Sequence, residues 1–109
     1  MKTDQHVLLT SIKAASALTK NLFIGFDGAL CGANAKALGV SNADADSDEQ
    51  LPVTVVGIAL IKSGAALSAG AKIASDASGK AVTYSTGEPN GFALDSASGT
   101  DELIRVLLT

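Results

Sequence analysis

The sequence predicts an all-β fold: a small β-sandwich or barrel of short antiparallel strands, with an N-terminal arm and at most one short helix. Short apolar stretches are separated by turn dipeptides, which in the second half of the chain recur at intervals of roughly six to twelve residues. Short strands with turn signals at such intervals are typical of sandwiches and small barrels. Helical spacing of apolar residues is found around residues 8–18, which leaves a short N-terminal helix as an alternative there.

In the first half of the chain, four short strands are expected, at residues 7–12, 22–26, 29–31 and 36–40. Asp27-Gly28 is a strong turn signal, so the second and third of these strands are expected to form a hairpin. The Ala-rich residues 14–20 form either a helical turn or a loop. Residues 1–12 are therefore interpreted as a polar N-terminal arm followed by the first strand.

The middle of the chain combines its most polar and its most apolar stretch. Residues 41–51 are expected to form an acidic surface loop, because residues 41–50 contain four carboxylates and no large apolar side chain. The strand expected at residues 53–61 is apolar on both faces under period-2 geometry. One face holds Val53, Val55, Ala59 and Ile61, and the other holds Val56, Ile58 and Leu60. Such a strand is either central in a sandwich or covered by a neighbouring subunit.

The last part of the chain predicts four more strands, at residues 71–74, 80–84, 91–94 and 103–108. Residues 76–80 are expected to form a tight turn, in which Asp76 accepts backbone hydrogen bonds and Gly79 supplies a positive φ. The last strand places Ile104, Val106 and Leu108 on one face and Leu103, Arg105 and Leu107 on the other. Residues 1–109 are expected to form a single β domain, since a chain of this length lacks the material for a second core.

Composition limits both the core and the partners. Four of the 109 residues are aromatic, so the core must be built from aliphatic side chains and is expected to lean on a partner surface or on self-association. The net charge is −3 and the eight basic residues are scattered, which argues against nucleic acid as a partner. The sequence shows neither a signal-peptide pattern nor an apolar span that could cross a bilayer, so no membrane partner is expected.

Residues that carry catalysis or bind cofactors are scarce. His6, the single histidine, lies outside any cluster and is interpreted as an ordinary polar residue. A spatial Ser-His dyad that uses His6 is the enzymatic alternative. Gly79-Lys80 is followed by alanine where a phosphate-binding loop requires Ser or Thr. Cys31, the single cysteine, is expected to be a small buried thiol, and the lack of a disulfide framework fits synthesis in a reducing cytoplasm.

The acidic loop contains the one motif typical of a metal site. Asp44, Asp46 and Asp48 have the Asp-x-Asp-x-Asp spacing that begins a calcium-binding loop. However, Glu49 and Val55 occupy the positions at which an EF-hand loop requires glycine and a carboxylate. We interpret the loop as a solvated surface segment, with a weak cation site as the alternative. We therefore expect no enzymatic activity, no cofactor and no bound metal.

Residues 68–82, 91–97 and 99–108 carry an ordered set of motifs. The order is Ala-Gly, a strand, Asp-x-x-Gly, a strand, Gly-x-Ala and an apolar terminal strand. This order resembles that of the phage capsid decoration, or cement, proteins, and the resemblance covers residues 53–109. The family pattern has Gly directly before Asp, whereas here Thr100 separates Gly99 from Asp101.

The resemblance implies a structural protein of the bacteriophage virion. Such a protein is made in the host cytoplasm, binds the outer surface of the assembled head as a homodimer or homotrimer, and stabilises contacts between major capsid protein subunits. The partners implied are therefore the phage major capsid protein and further copies of this chain. A small non-catalytic ligand- or carbohydrate-binding β module is the alternative, although such sites favour aromatic platforms and the chain has no Trp and one Tyr.

Seven residues are expected to form the capsid or oligomer interface: His6, Val7, Leu8, Leu9, Val56, Ile58 and Leu60. The first four follow the polar tip of the arm, which we expect to reach across to a neighbouring subunit. The other three form the second apolar face of the strand at residues 53–61.

Overall fold

The computed structural model describes residues 5–108, and for His6 it describes the backbone alone. Eight strands make up the secondary structure of these residues: β1 (Gln5–Lys13), β2 (Phe23–Ile24), β3 (Gly39–Ser41), β4 (Gln50–Lys62), β5 (Lys72–Ser75), β6 (Ala81–Thr83), β7 (Gly91–Ala93) and β8 (Leu103–Leu108). The predicted all-β fold is confirmed. Residues 14–20 form a loop, in which Leu18 pairs with Ala45 of the acidic loop through a short β-bridge.

All neighbouring strands are antiparallel, in the order β2-β3-β4-β8-β7-β5-β6, with β1 paired to β4. The 13-residue β4 organises the sheet, because it carries β1 on one edge and first β3 and then β8 on the other. The sheet curls until its two ends meet. The amide of Phe23 donates to the carbonyl of Gly79 at 2.7 Å, and the amide of Asn34 donates to the carbonyl of Ser75 at 2.9 Å. The result is a nearly closed barrel.

Two clusters of aliphatic side chains fill the interior. The larger cluster lies inside the barrel and includes Phe23, Ile61, Ile73 and Ile104. In the smaller one, Leu51 and neighbouring apolar residues pack beneath the loop at residues 14–18 and beneath Ala45 of the acidic loop. Phe23 is fully buried, whereas the aromatic rings of Phe26 and Phe92 are exposed, so the core is the thin aliphatic one that the composition indicates.

Strand β4 changes the face that it turns toward the larger cluster. Thr54 lies opposite Val40, which belongs to the larger cluster, and cross-strand neighbours share a face of the sheet. Farther along, Ala59 belongs to that cluster, whereas Val53 belongs to the smaller one. The β4 side chains that point toward the larger cluster therefore belong to even-numbered residues at Thr54 and to odd-numbered residues at Ala59. Gly57, with φ of 116°, lies in this interval, where the pairing with β1 is also irregular. Val53 and Ala59 were expected to lie on one face of the strand, but they belong to different clusters.

The predicted tight turn at residues 76–80 is present. Oδ1 of Asp76 accepts hydrogen bonds from the amides of Ser78 at 2.9 Å and Lys80 at 2.8 Å, and Gly79 has φ of 76°. A comparable support comes from the buried Asn90, whose Nδ2 donates to the carbonyl of Ala35 and whose Oδ1 accepts from the amide of Ala37. These side chains satisfy backbone groups that the short strands leave unpaired. Within the described part of the chain, no helix has the length and hydropathy to cross a bilayer.

Candidate interaction surface

Strand β1 lies at an edge of the sheet. Its nine residues pair along one side with β4, and among residues 5–108 no strand pairs with its other side. Residues at both odd and even positions of β1 are exposed; Val7, for example, is 77% exposed. Since successive side chains point to opposite faces, both faces of this strand are open to solvent. We refer to β1 as the edge strand.

The structure brings most of the predicted interface residues together. In the β1–β4 pairing, the backbone of His6 lies opposite Gly57, and Leu8 lies opposite Val56. Val7 and Leu9 flank Leu8 and are also exposed. The expected arm, however, does not leave the domain over residues 5–12, because these residues pair with β4 of their own chain. Residues 1–4, the polar tip of that arm, lie outside the described residues.

Ile58 and Leu60 belong to a neighbouring apolar surface on the outside of the barrel. Ile58 lies opposite Leu107 of β8, and Leu107 lies opposite Phe92 of β7. These cross-strand neighbours point away from the larger cluster, because it is the alternate residues of each strand that belong to it. We call this surface the outer face, and it consists of Ile58, Leu60, Phe92, Leu94, Leu103 and Leu107.

Part of the outer face was not among the predicted interface residues. The period-2 alternation of β8 places Leu103 and Leu107 on the face opposite to its buried residues, so the sequence does indicate that these two side chains share a face. No comparable signal shows that β8 lies beside β4 and β7 beside β8, because these neighbours depend on the order of strands in the sheet. The predicted interface residues Ile58 and Leu60 are thus one row of a three-stranded apolar surface.

An ion pair lies within the outer face. Arg105, opposite Leu60, donates from Nε to Oδ2 and from Nη2 to Oδ1 of Asp95, both at 3.0 Å. The backbone amide of Arg105 donates to the same carboxylate at 3.0 Å. The hydrogen bonds from the guanidinium, and the negative charge of Asp95, raise the pKa of the Arg105 guanidinium. Arg105 and Asp95 therefore neutralise each other's charge in a bidentate geometry.

The acidic loop uses its carboxylates to hold its own backbone and that of the neighbouring loop at residues 14–20. Oδ1 of Asp44 accepts from the amide of Lys20 at 2.9 Å, and Oε1 of Glu49 accepts from the amide of Asp46 at 2.7 Å. Asp48 lies 3.8 Å from the ammonium of Lys13. Across residues 5–108, no group of three or more His, Cys, Asp or Glu side chains is arranged to hold a metal ion. The loop begins after β3 at Ser41 and ends where β4 begins at Gln50.

Three further features bear on possible chemistry: a buried thiol, a small cavity and a surface cleft. The Cys31 thiol is buried beside the carbonyl of Ala35, at 3.4 Å from Sγ, and burial raises its pKa, which disfavours the reactive thiolate. A cavity of about 10 Å³ beside Phe23 and Asn90 has room for about one water molecule. A shallow cleft of about 350 Å³ lies along the acidic loop, between Thr19 and Glu49.

Comparisons with known proteins identify a matching family by sequence and a similar fold among solved structures. The model of a family described as phage cement protein matches residues 1–108. Among solved structures, the chain is similar to the head fiber gp8.5 N base in bacteriophage phi29, with a TM-score of 0.78 and 14% sequence identity over 94% of this chain and 93% of that chain. At that identity the likeness concerns the fold. Among curated proteins, none matches the chain.

Proposed function

Since the chain belongs to the phage cement protein family, we propose that it binds the outer surface of the phage head and stabilises contacts between neighbouring major capsid protein subunits. Membership of the family makes the chain a structural component of the virion and a binder of the capsid. A non-enzymatic role is in keeping with a family of structural proteins. The site on the capsid and the surface of the chain that contacts it belong to the proposal.

The observation that carries the proposal is the exposed outer face. Its large apolar side chains, Phe92 and Leu107 among them, lie on three adjacent strands and remain accessible in the single chain. Contiguous apolar surface of this kind on a soluble domain is characteristic of a protein-binding site. Burying it against a capsid subunit removes apolar area from water, which is the main favourable term in association.

The Arg105–Asp95 pair suits such an interface. A lone charge would be costly to bury, whereas a charge whose partner is already bound in a bidentate geometry enters the interface neutralised. The pair also presents a fixed polar group amid apolar neighbours, which favours one orientation of docking over others.

The size of the domain fits a decoration role. Its extents are 35 × 28 × 22 Å, so one broad face offers about the 800 Å² that each partner contributes to a standard protein interface. Contact with two adjacent subunits at once would divide that area between them. Repetition over many copies on a shell then makes modest individual contacts effective.

A capsid-binding assay with matched variants tests the proposal. Leu107→Glu places a charge in the outer face, whereas Leu30→Glu places one on a leucine of similar exposure, 43% against 38%, at the β2 turn. We expect wild type and Leu30→Glu to co-sediment with capsids that lack the protein and to raise their thermal disruption temperature, and Leu107→Glu to do neither. Equal binding of both variants, or binding with no effect on capsid disruption, would contradict the proposal.

A further inference from the structure

A cation borders the apolar outer face on strand β5. Phe92 lies opposite Lys72 in the β5–β7 pairing, and the register of β5 with β6 brings Tyr84, the residue after β6, opposite Lys72. The amide of Tyr84 donates to the carbonyl of Lys72 at 2.8 Å. Directly opposite residues of antiparallel strands share a face of the sheet. Lys72 and Tyr84 therefore lie beside the outer face, on the same side of the sheet.

The ammonium of Lys72 rests against an aromatic ring. Its Nζ lies 5.1 Å from the centroid of the Tyr84 ring, within the range of a cation–π interaction. The Tyr84 hydroxyl donates to the carbonyl of Gly87 at 3.1 Å, which ties the far end of the ring to the loop after β6. The charge of Lys72 is thus held in one place beside the outer face.

Lys72 differs from the cations that this chain neutralises itself. Lys13, Lys80 and Arg105 each form an ion pair with an aspartate. Within residues 5–108, Lys72 has no carboxylate at ion-pair distance, and it is exposed. The contact with an aromatic ring leaves a full positive charge in place. The ammonium of Lys72 is therefore accessible to an anion on another molecule.

We propose that Lys72 binds a carboxylate of the major capsid protein when the outer face docks on the phage head, an inference that rests on the proposed function. Docking removes water from Phe92 and from its neighbour Lys72, and a cation that loses water without gaining an anion destabilises the complex. Asp95 does not supply that anion, because it is already bound by Arg105. The capsid protein supplies it instead, and the anionic side chains of proteins at neutral pH are those of Asp and Glu.

The acidic loop adds a preference of orientation. The loop ends where β4 begins, at Gln50, and β4 reaches the outer face only at Ile58. Eight residues of extended strand span about 25 Å, beyond the Debye length of about 8 Å at physiological ionic strength. An acidic site on the capsid therefore attracts Lys72 beside the outer face and repels the loop, so the charges favour the approach that places the outer face on the shell.

Capsid binding by charge variants tests the ion pair. Lys72→Gln removes the charge, Lys72→Arg keeps it, and Lys20→Gln makes the same change of net charge beside the acidic loop. We expect Lys72→Gln to bind capsids that lack the protein about five- to tenfold more weakly than wild type at low ionic strength. The other two variants should bind as wild type does. Added salt should narrow the difference, because it screens the pair.

The outcomes separate this inference from the proposed function. Equal binding of Lys72→Gln and Lys20→Gln, with wild type bound and Leu107→Glu unbound, would overturn the ion pair and leave the proposed function standing. Weak binding of Lys72→Arg, at the level of Lys72→Gln, would also overturn the ion pair, because the charge would then not be what acts. A wild-type chain that ignores capsids would overturn both.

Zero-length cross-linking identifies the group that Lys72 contacts. A carbodiimide activates a carboxylate, and an amine in direct contact then displaces the activating group as a urea and forms an amide bond. In complexes of the unmodified chain with capsids, mass spectrometry should find Lys72 joined to an Asp or Glu of the major capsid protein. Lys20, an exposed amine away from the outer face, is the internal control. Cross-links from Lys20 to the capsid protein with none from Lys72 would overturn the inference.

Discussion

Lys80 and Asp101 join two turns that are distant in the chain: Nζ of the lysine lies 2.6 Å from Oδ1 of the aspartate. Lys80 ends the turn between β5 and β6, and Asp101 lies in the turn before β8. The amide of Asp101 also donates to the carbonyl of Ser63, just after β4, at 2.7 Å. The ion pair therefore connects the β5–β6 hairpin with the β4–β8 part of the barrel.

The Lys80–Asp101 pair predicts a specific pH dependence of stability. Hydrogen bonding to Lys80 lowers the pKa of Asp101 below its usual 3.8, and the bond to Asp101 raises the pKa of Lys80 above its usual 10.5. The aspartate contributes stability above its unfolded pKa that is lost as the pH falls through the folded value, and the lysine contribution is lost as the pH rises through its folded value. The pair thus stabilises the fold across the neutral range.

Asp101→Asn tests this contribution. Asparagine tolerates the positive φ of 62° at this position, so the variant removes the charge and leaves the turn conformation available. We expect a lower melting temperature at pH 7 and a smaller loss of stability between pH 5 and pH 2 than in wild type (roughly the range in which carboxylates titrate). If the melting temperature of Asp101→Asn fell between pH 5 and pH 2 by as much as that of wild type, the role assigned to the pair would be contradicted.

We expect the change of face in β4 to require glycine at position 57. Its φ of 116° lies where L-residues are strained, so Gly57→Ala should destabilise the fold by about 1–3 kcal/mol. Gly32→Ala is the control, because Gly32 has an ordinary φ and a Cβ there meets nothing within 4 Å. Urea unfolding of the two variants measures the difference. Equal stabilities would mean that β4 does not depend on this conformation.

The buried Asn90 is expected to hold the loop at residues 35–37 against the barrel. Asn90→Ala leaves the carbonyl of Ala35 and the amide of Ala37 without their side-chain partner, which should cost about 1–3 kcal/mol each where the group stays buried. The exposed Asn42→Ala provides the matched control. Denaturant midpoints of both variants, at constant m-value, provide the measurement. A midpoint for Asn90→Ala equal to that of Asn42→Ala would rule out this role.

Cys31 is expected to be unreactive in the folded protein. Burial both raises the thiol pKa and blocks access to reagents, so a thiol-specific chromogenic reagent should label Cys31 at the rate of unfolding. A Ser96→Cys variant, with an exposed position on the β7–β8 loop, should react at that added thiol within the mixing time. Rapid labelling of wild type in native buffer would contradict the burial.

The positions of the strands along the chain could be predicted from the sequence better than their order and pairing in the sheet. The turn at Asp76 and the alternation in residues 103–108 depend on local chemistry, and the structure contains both where they were expected. The face change at Gly57 and the position of β7 beside β8 depend on pairing between distant segments, which period-2 alternation cannot encode. For the same reason the apolar row on β4 was recognised, whereas Phe92 was not.

Footprinting on the capsid tests the central claim most directly. Phe26 and Phe92 are both exposed in the free chain, at 65% and 39%, but Phe92 lies on the outer face and Phe26 on the turn after β2. Hydroxyl-radical oxidation of each ring, measured by mass spectrometry with and without capsids, compares the two surfaces within one unmodified protein. We predict that capsid binding protects Phe92 and leaves Phe26 as reactive as before. Protection of Phe26 with Phe92 unchanged would contradict the claim that the outer face binds the phage head.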